Sequence, residues 1–215
     1  MAVEQSGSGV PIVFLHAFPL ARAMWLPQAP IARNFRVMSI DLPGFGESPA
    51  GPATMKMEET ARGVLRTLDE RGITQPAIFV GLSMGGYILL QILRLSPQRV
   101  RAAVLTSTRS GVDSSETKEK RAENIALVES KGVAALADKM IPALLGETTR
   151  QAHPEIADNV RAMITAQPAS AVSAALRGMA ERADTTPVLA GVACPALVVT
   201  GEEDTLIKAA EMEEM

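Results

Sequence analysis

The sequence predicts an α/β fold, a mostly parallel β-sheet with helices on both faces, and three observations carry that prediction. Short apolar, β-branched runs recur at residues 11–15, 36–40, 77–80, 102–106 and 196–200. They lack strict apolar/polar alternation, the pattern of strands covered on both faces. Longer segments of helical periodicity separate them, and strand–helix alternation of this kind builds parallel sheets. The 215 residues, 47% of them hydrophobic, suffice for one domain with a core, or one domain carrying an insertion.

Taken in order, the run at 11–15 is the first strand and the run at 36–40 the second. Met57, Ala61, Val64, Leu65 and Leu68 then recur at helical spacing, with Gly72 as the stop. The run at 77–80 leads into a helix over 87–95, closed by Ser96-Pro97. After the strand at 102–106 the rhythm breaks. Residues 111–186 hold helical patterns at 116–130, 133–145, 154–165 and 169–183, punctuated by Pro142, Gly146, Pro154 and Pro168, with no convincing strand. This stretch is read as a helical cap inserted between two strands. The sheet-forming core is then 1–110 and 187–215.

Bulk properties exclude several classes. The net charge is −3, and there is no basic stripe with interleaved aromatics, so no nucleic-acid partner is expected. No apolar run approaches the ~20 residues of a membrane span. The first residues lack a basic segment followed by an apolar stretch, so a cytoplasmic location is expected. The single cysteine, Cys194, reads as a small apolar filler. The two histidines, His16 and His153, form no ligand cluster, and neither metal nor cofactor is expected.

The sharpest chemical signal is Gly81-Leu82-Ser83-Met84-Gly85-Gly86. The bare pattern G-x-S-x-G arises by chance in roughly one chain in fifteen of this length, given ordinary glycine and serine frequencies. Its position between a strand and a helix makes it specific. A serine there sits on a sharp strained turn, and glycines are needed where side chains would strike the neighbouring elements. The helix that follows favours negative charge at its N-terminus.

Three further segments accompany it. His16-Ala17-Phe18-Pro19 follows the first strand, Asp41-Leu42-Pro43-Gly44-Phe45-Gly46-Glu47-Ser48 follows the second, and Gly201-Glu202-Glu203-Asp204 follows the last. Together with the serine elbow they resemble the α/β-hydrolases of the esterase, enol-lactonase and cofactor-free haloperoxidase group, over about residues 9–215. The resemblance implies Ser83 as nucleophile, the backbone N–H groups of Phe18 and Met84 as oxyanion donors, and Asp204 as the triad acid. It implies a structural role for His16 and a loop-anchoring one for Asp41. Ala17 stands where the family usually has glycine. Trp25 is a candidate for pocket lining or for structural support.

In that family a histidine follows the acid by a few tens of residues, after one more strand. Here His153 lies in the helical stretch and reads as a solvated loop residue. The expectation is that the fold's C-terminal strand and helix lie outside this chain, and that a further segment or a second chain completes the sheet and supplies the base. Loss of the histidine costs about a millionfold in kcat in a serine protease. The expected function is hydrolysis of small carboxylic esters or lactones through an acyl-enzyme on Ser83, weak or absent in this chain alone. Perhydrolysis, or a small-molecule binding and sensing module on the same fold, are the alternatives.

Overall fold

A computed structural model describes residues 1–215. The sheet has six strands: β1 (Val3–Ser6), β2 (Val10–Leu15), β3 (Phe35–Ile40), β4 (Ala77–Leu82), β5 (Val100–Thr106) and β6 (Ala196–Val199). Their spatial order is β1-β3-β2-β4-β5-β6. β1 runs antiparallel to β3, and every other pairing is parallel. The reversal of order about β2 and β4 creates a switch point, where α/β sheets open a crevice beyond the carboxyl ends of their strands. Leu15 and Gly81 are paired at that end, which brings the segments after β2 and β4 together.

Alternate side chains of the central strands enter two cores. Val13, Leu15, Met38, Ile40 and Phe79 join a cluster of 39 buried residues with α1 (Met57–Glu70) and α2 (Met84–Leu95). Ile12, Phe14, Val37 and Val80 form a smaller cluster with Trp25, from a 3₁₀ segment over Arg22–Arg33. α1 stops where the sequence indicates. Gly72 is left-handed (φ +70°), and Ile73 N–H donates to the Leu68 carbonyl, closing the helix end.

Between β5 and β6 the chain forms α3 (Ser115–Leu144), α4 (Glu147–Ala152), α5 (Pro154–Thr165), α6 (Ala169–Ala180) and α7 (Thr186–Leu189), without a strand. α3 is broken at Gly132, whose φ of +82° is non-helical, so its two halves match the segments read separately in the sequence. Pro142 lies inside the second half instead of punctuating it. α6 and the turn before it dock on the loop after β3: Met55 N–H donates to the Ala174 carbonyl (3.0 Å), and Gly46 N–H to Gln167 Oε1 (2.9 Å).

The run at 196–200 forms a strand but departs from the general pattern of strands covered on both faces: β6 is exposed throughout, as expected where further sheet is missing beside it. β6 is the edge strand, paired only with β5, and Leu197 retains 57% of its surface. A short helix, α8 (Ala209–Glu213), follows, anchored by the buried Met212.

Candidate active site

Ser83 joins the end of β4 to the first residue of α2, with φ +52° and ψ −110°. Only Ser83 and Ser107 among the non-glycine residues have positive φ. This strain persists because the surroundings fix it. Ser83 N–H donates to the Thr106 carbonyl (2.8 Å), and its own carbonyl accepts from Thr108 Oγ1 (2.9 Å) and Tyr87 N–H (3.1 Å). The glycines explain themselves by contact. A Cβ on Gly81 would stand 2.5 Å from the Gly85 carbonyl oxygen, one on Gly85 would overlap the Leu15 carbonyl, and one on Gly86 the Thr108 side chain.

Met84 occupies the first helical position, where a backbone N–H has no intrahelical acceptor. Phe18 lines the same cavities as Ser83. Ala17 has no positive φ, so the alanine in place of the family's glycine imposes no left-handed strain. His16 is fully buried beneath this segment. Its Nε2 accepts from Leu42 N–H (3.0 Å), so the ring proton belongs on Nδ1, 2.9 Å from the Ala17 carbonyl. Burial lowers its pKa to about 4, against the opposing pull of the Ala17 carbonyl and Asp41. His16 is therefore a neutral strut between two loops, with no ring nitrogen free for proton transfer.

Asp41 is an anchor. Its carboxylate accepts from Arg22 N–H (2.7 Å), the Arg22 guanidinium and Glu47 N–H (3.0 Å). Trp25 does not line the Ser83 cavities; it packs against Phe14 at 4.9 Å between ring centres in the smaller core.

Two cavities meet at Ser83, each about 430 Å³. The first is walled by Phe18, Ser107, α3–α4 residues and the loop carrying Glu202, Glu203 and Asp204. Asp204 Oδ1 accepts from Leu206 and Ile207 N–H, both at 2.9 Å, which fixes the turn. Glu203 is engaged elsewhere: its carboxylate accepts from the Thr148 N–H and hydroxyl at the start of α4. The hydrogen bonds to Thr148, first its hydroxyl and then its backbone, hold the Glu203 carboxyl below the usual range. The second cavity runs under α3 and α6 past Tyr87, with an apolar lining that includes Met140, Leu144, Leu176 and Met179. His153 lines neither cavity; it is exposed at the end of α4 beside Glu155.

Sequence reasoning missed Ser107, Thr108 and a buried cluster at the wall of the second cavity. There Asp113 accepts from Arg121 Nε and Arg182 Nη1, both at 2.5 Å. Burial pushes the Asp113 carboxyl up, but the bonds and charges of Arg121 and Arg182 outweigh it and hold it below the ordinary range. Arg182 also stacks over the Tyr87 ring at 4.2 Å. An Asp and two Arg separated by up to 69 residues carry no local signal; only the returning turn after α6 brings them together.

Comparison with known proteins agrees with this architecture. A profile of the α/β-hydrolase fold matches residues 10–215, and the chain belongs to that family. A malate-bound structure of a thermophilic esterase from Thermogutta terrifontis is 39% identical, with a TM-score of 0.96 over 99% of this chain and 79% of that one. The enol-lactonase of Burkholderia xenovorans LB400 is 25% identical, with a TM-score of 0.91 over 99% of this chain and 82% of its own. A putative non-heme haloperoxidase of Mycobacterium phage D29 is 38% identical over 113 residues, 52% of this chain. Less than half of these curated relatives is spanned: 40% of the phage protein and 19% of the pig bifunctional epoxide hydrolase 2.

Proposed function

We propose that this protein is a serine hydrolase of small carboxylic esters or lactones, with Ser83 as nucleophile. The observation that carries the reading is the strained, glycine-walled turn that presents Ser83 where two cavities meet, with Phe18 and Asp204 in the same walls. Ser83 Oγ attacks the carbonyl carbon, and the N–H groups of Phe18 and Met84 receive the oxyanion. The alcohol leaves, and water releases the acyl group. The helices over 111–186 act as the cap. An imidazole between Ser83 and Asp204 completes the mechanism, and neither His16 nor His153 stands there. The neighbouring esterase and enol-lactonase support the ester or lactone class. Perhydrolysis uses the same donors with peroxide in place of water.

Mass analysis after treatment with a fluorophosphonate tests the reading, with Ser83→Ala as control. One adduct on Ser83, together with p-nitrophenyl butyrate turnover that rises on adding free imidazole, supports it. No adduct and no turnover, with or without imidazole, would remove it and favour ligand binding without chemistry. Peracid formation measured on the same sample separates perhydrolysis from hydrolysis.

A further inference from the structure

We infer that the second arm of the Ser83 cavity is an anion-accepting subsite built on Arg121, which takes the free carboxylate of a dicarboxylic half-ester or of a carboxylate-bearing lactone. The inference deepens the hydrolase reading and rests on it for the reacting carbonyl, but the subsite itself can be tested by binding alone.

The charge balance of the arm carries the argument. Its lining holds four cations, Arg109, Lys120, Arg121 and Lys139, and two carboxylates, Asp113 and Glu123. Asp113 is shared by two guanidiniums, Arg121 and Arg182. All three side chains are largely buried, at 15% exposure for Arg121, 3% for Arg182 and 1% for Asp113. The cluster therefore keeps one positive charge in excess, away from bulk water, where a charge without a counter-ion is costly.

Its hydrogen bonding is unfinished in the same sense. Arg121 Nη1 reaches only the Met179 sulfur at 3.4 Å, and a thioether is a weak acceptor. Arg182 Nε has no partner, while its remaining nitrogens are held by Asp113 and the Met179 and Gly111 carbonyls. A carboxylate reaching Arg121 would supply the missing charge and a strong acceptor, and guanidinium–carboxylate pairs are among the strongest such contacts.

The other cations are less committed. Lys120 pairs with Glu116 and Lys139 with Glu123, but these are exposed pairs, which bind weakly and exchange readily. Arg109 meets Glu211 at 3.4 Å. Each of these three cations has a carboxylate partner of its own, so Arg121 supplies the fixed contact. Ser83 and Arg121 line one cavity, whose apolar lining includes Met140, Leu176 and Met179. An apolar chain linking a reactive carbonyl to a terminal carboxylate fits that combination of surfaces.

The test compares mono-p-nitrophenyl glutarate with p-nitrophenyl butyrate, measured by ligand-observed NMR on the Ser83→Ala protein. The half-ester should bind about tenfold tighter or better at low salt, with the advantage falling as salt rises. The ratio of the two affinities should collapse toward one in Arg121→Gln and largely return in Arg121→Lys. Equal affinities at low salt, or a preference that ignores both salt and Arg121, would overturn the proposal. If Arg121→Gln does not fold, the salt dependence of the parent protein and Arg121→Lys still decide. Failure of the hydrolase reading would appear separately, as absent adduct and turnover on Ser83, while the binding comparison stands. In an active sample, kcat/KM along half-esters of increasing chain length should peak at one length; a flat series would also count against the subsite.

Discussion

A cavity beside Ser83 is of use only if the turn that presents the serine cannot relax, and single atoms enforce this. A methyl group on Gly85 would overlap the Leu15 carbonyl, backbone that cannot swing away. Gly85→Ala should therefore cost about 1–3 kcal/mol in urea unfolding, the range of overpacked cores, and should abolish labelling of Ser83. His16 gives a second prediction. Its folded-state pKa near 4 lies below the unfolded value of 6.5. Between those limits the unfolded chain binds a proton that the folded one refuses, so stability is full above pH 6.5 and falls toward pH 4. The loss from pH 7.5 to pH 5 should be about 2 kcal/mol. Urea unfolding at both pH values should show it, and His16→Gln should remove it. At this scale the nucleophile was legible because its glycines are local consequences of the turn. Thr108, which holds the Ser83 carbonyl from 25 residues away, was not.

Two contacts decide how the helices between β5 and β6 sit over the serine. Gly178 lies within α6, and a Cβ there would overlap the Met55 carbonyl, so glycine is what lets α6 touch the loop after β3. Gly178→Ala should lower the thermal midpoint by several degrees, since Met55 is backbone-bonded to the same helix and cannot yield freely. The second contact is Asp113 between Arg121 and Arg182. Asp113→Asn would leave two largely buried guanidiniums without a counter-charge, which should cost about 3–5 kcal/mol by denaturant titration. Elements with a strong period were legible, including the break at Gly132. β1 was not, because Val-Glu-Gln-Ser has neither an apolar run nor a second buried face. It forms only because β3 offers an antiparallel partner.

For the whole molecule, the run at 196–200 shows the limit of reading burial from composition. Its strand formed as expected, but burial belongs to neighbours, and β6 has one. Its outer edge offers unpaired backbone groups beside Leu197, Val198 and Val199, which are 57%, 40% and 41% exposed. An apolar, unpaired edge is a template for pairing with another chain. The 215-residue polypeptide should therefore self-associate as its concentration rises, eluting ahead of a 22.7 kDa monomer in size-exclusion chromatography. Val198→Lys places a charge on that edge and should return the elution to the monomer position without altering fluorophosphonate reactivity, since Val198 lines neither Ser83 cavity. Monomeric behaviour of the parent at all concentrations would overturn the prediction and mean that a four-residue strand is too short to template pairing. Association that survives Val198→Lys would move the contact to the other exposed apolar residues, Leu26, Val112 and Leu206. Leu206 borders the Ser83 cavities, so in that case oligomeric state and access to the serine would change together.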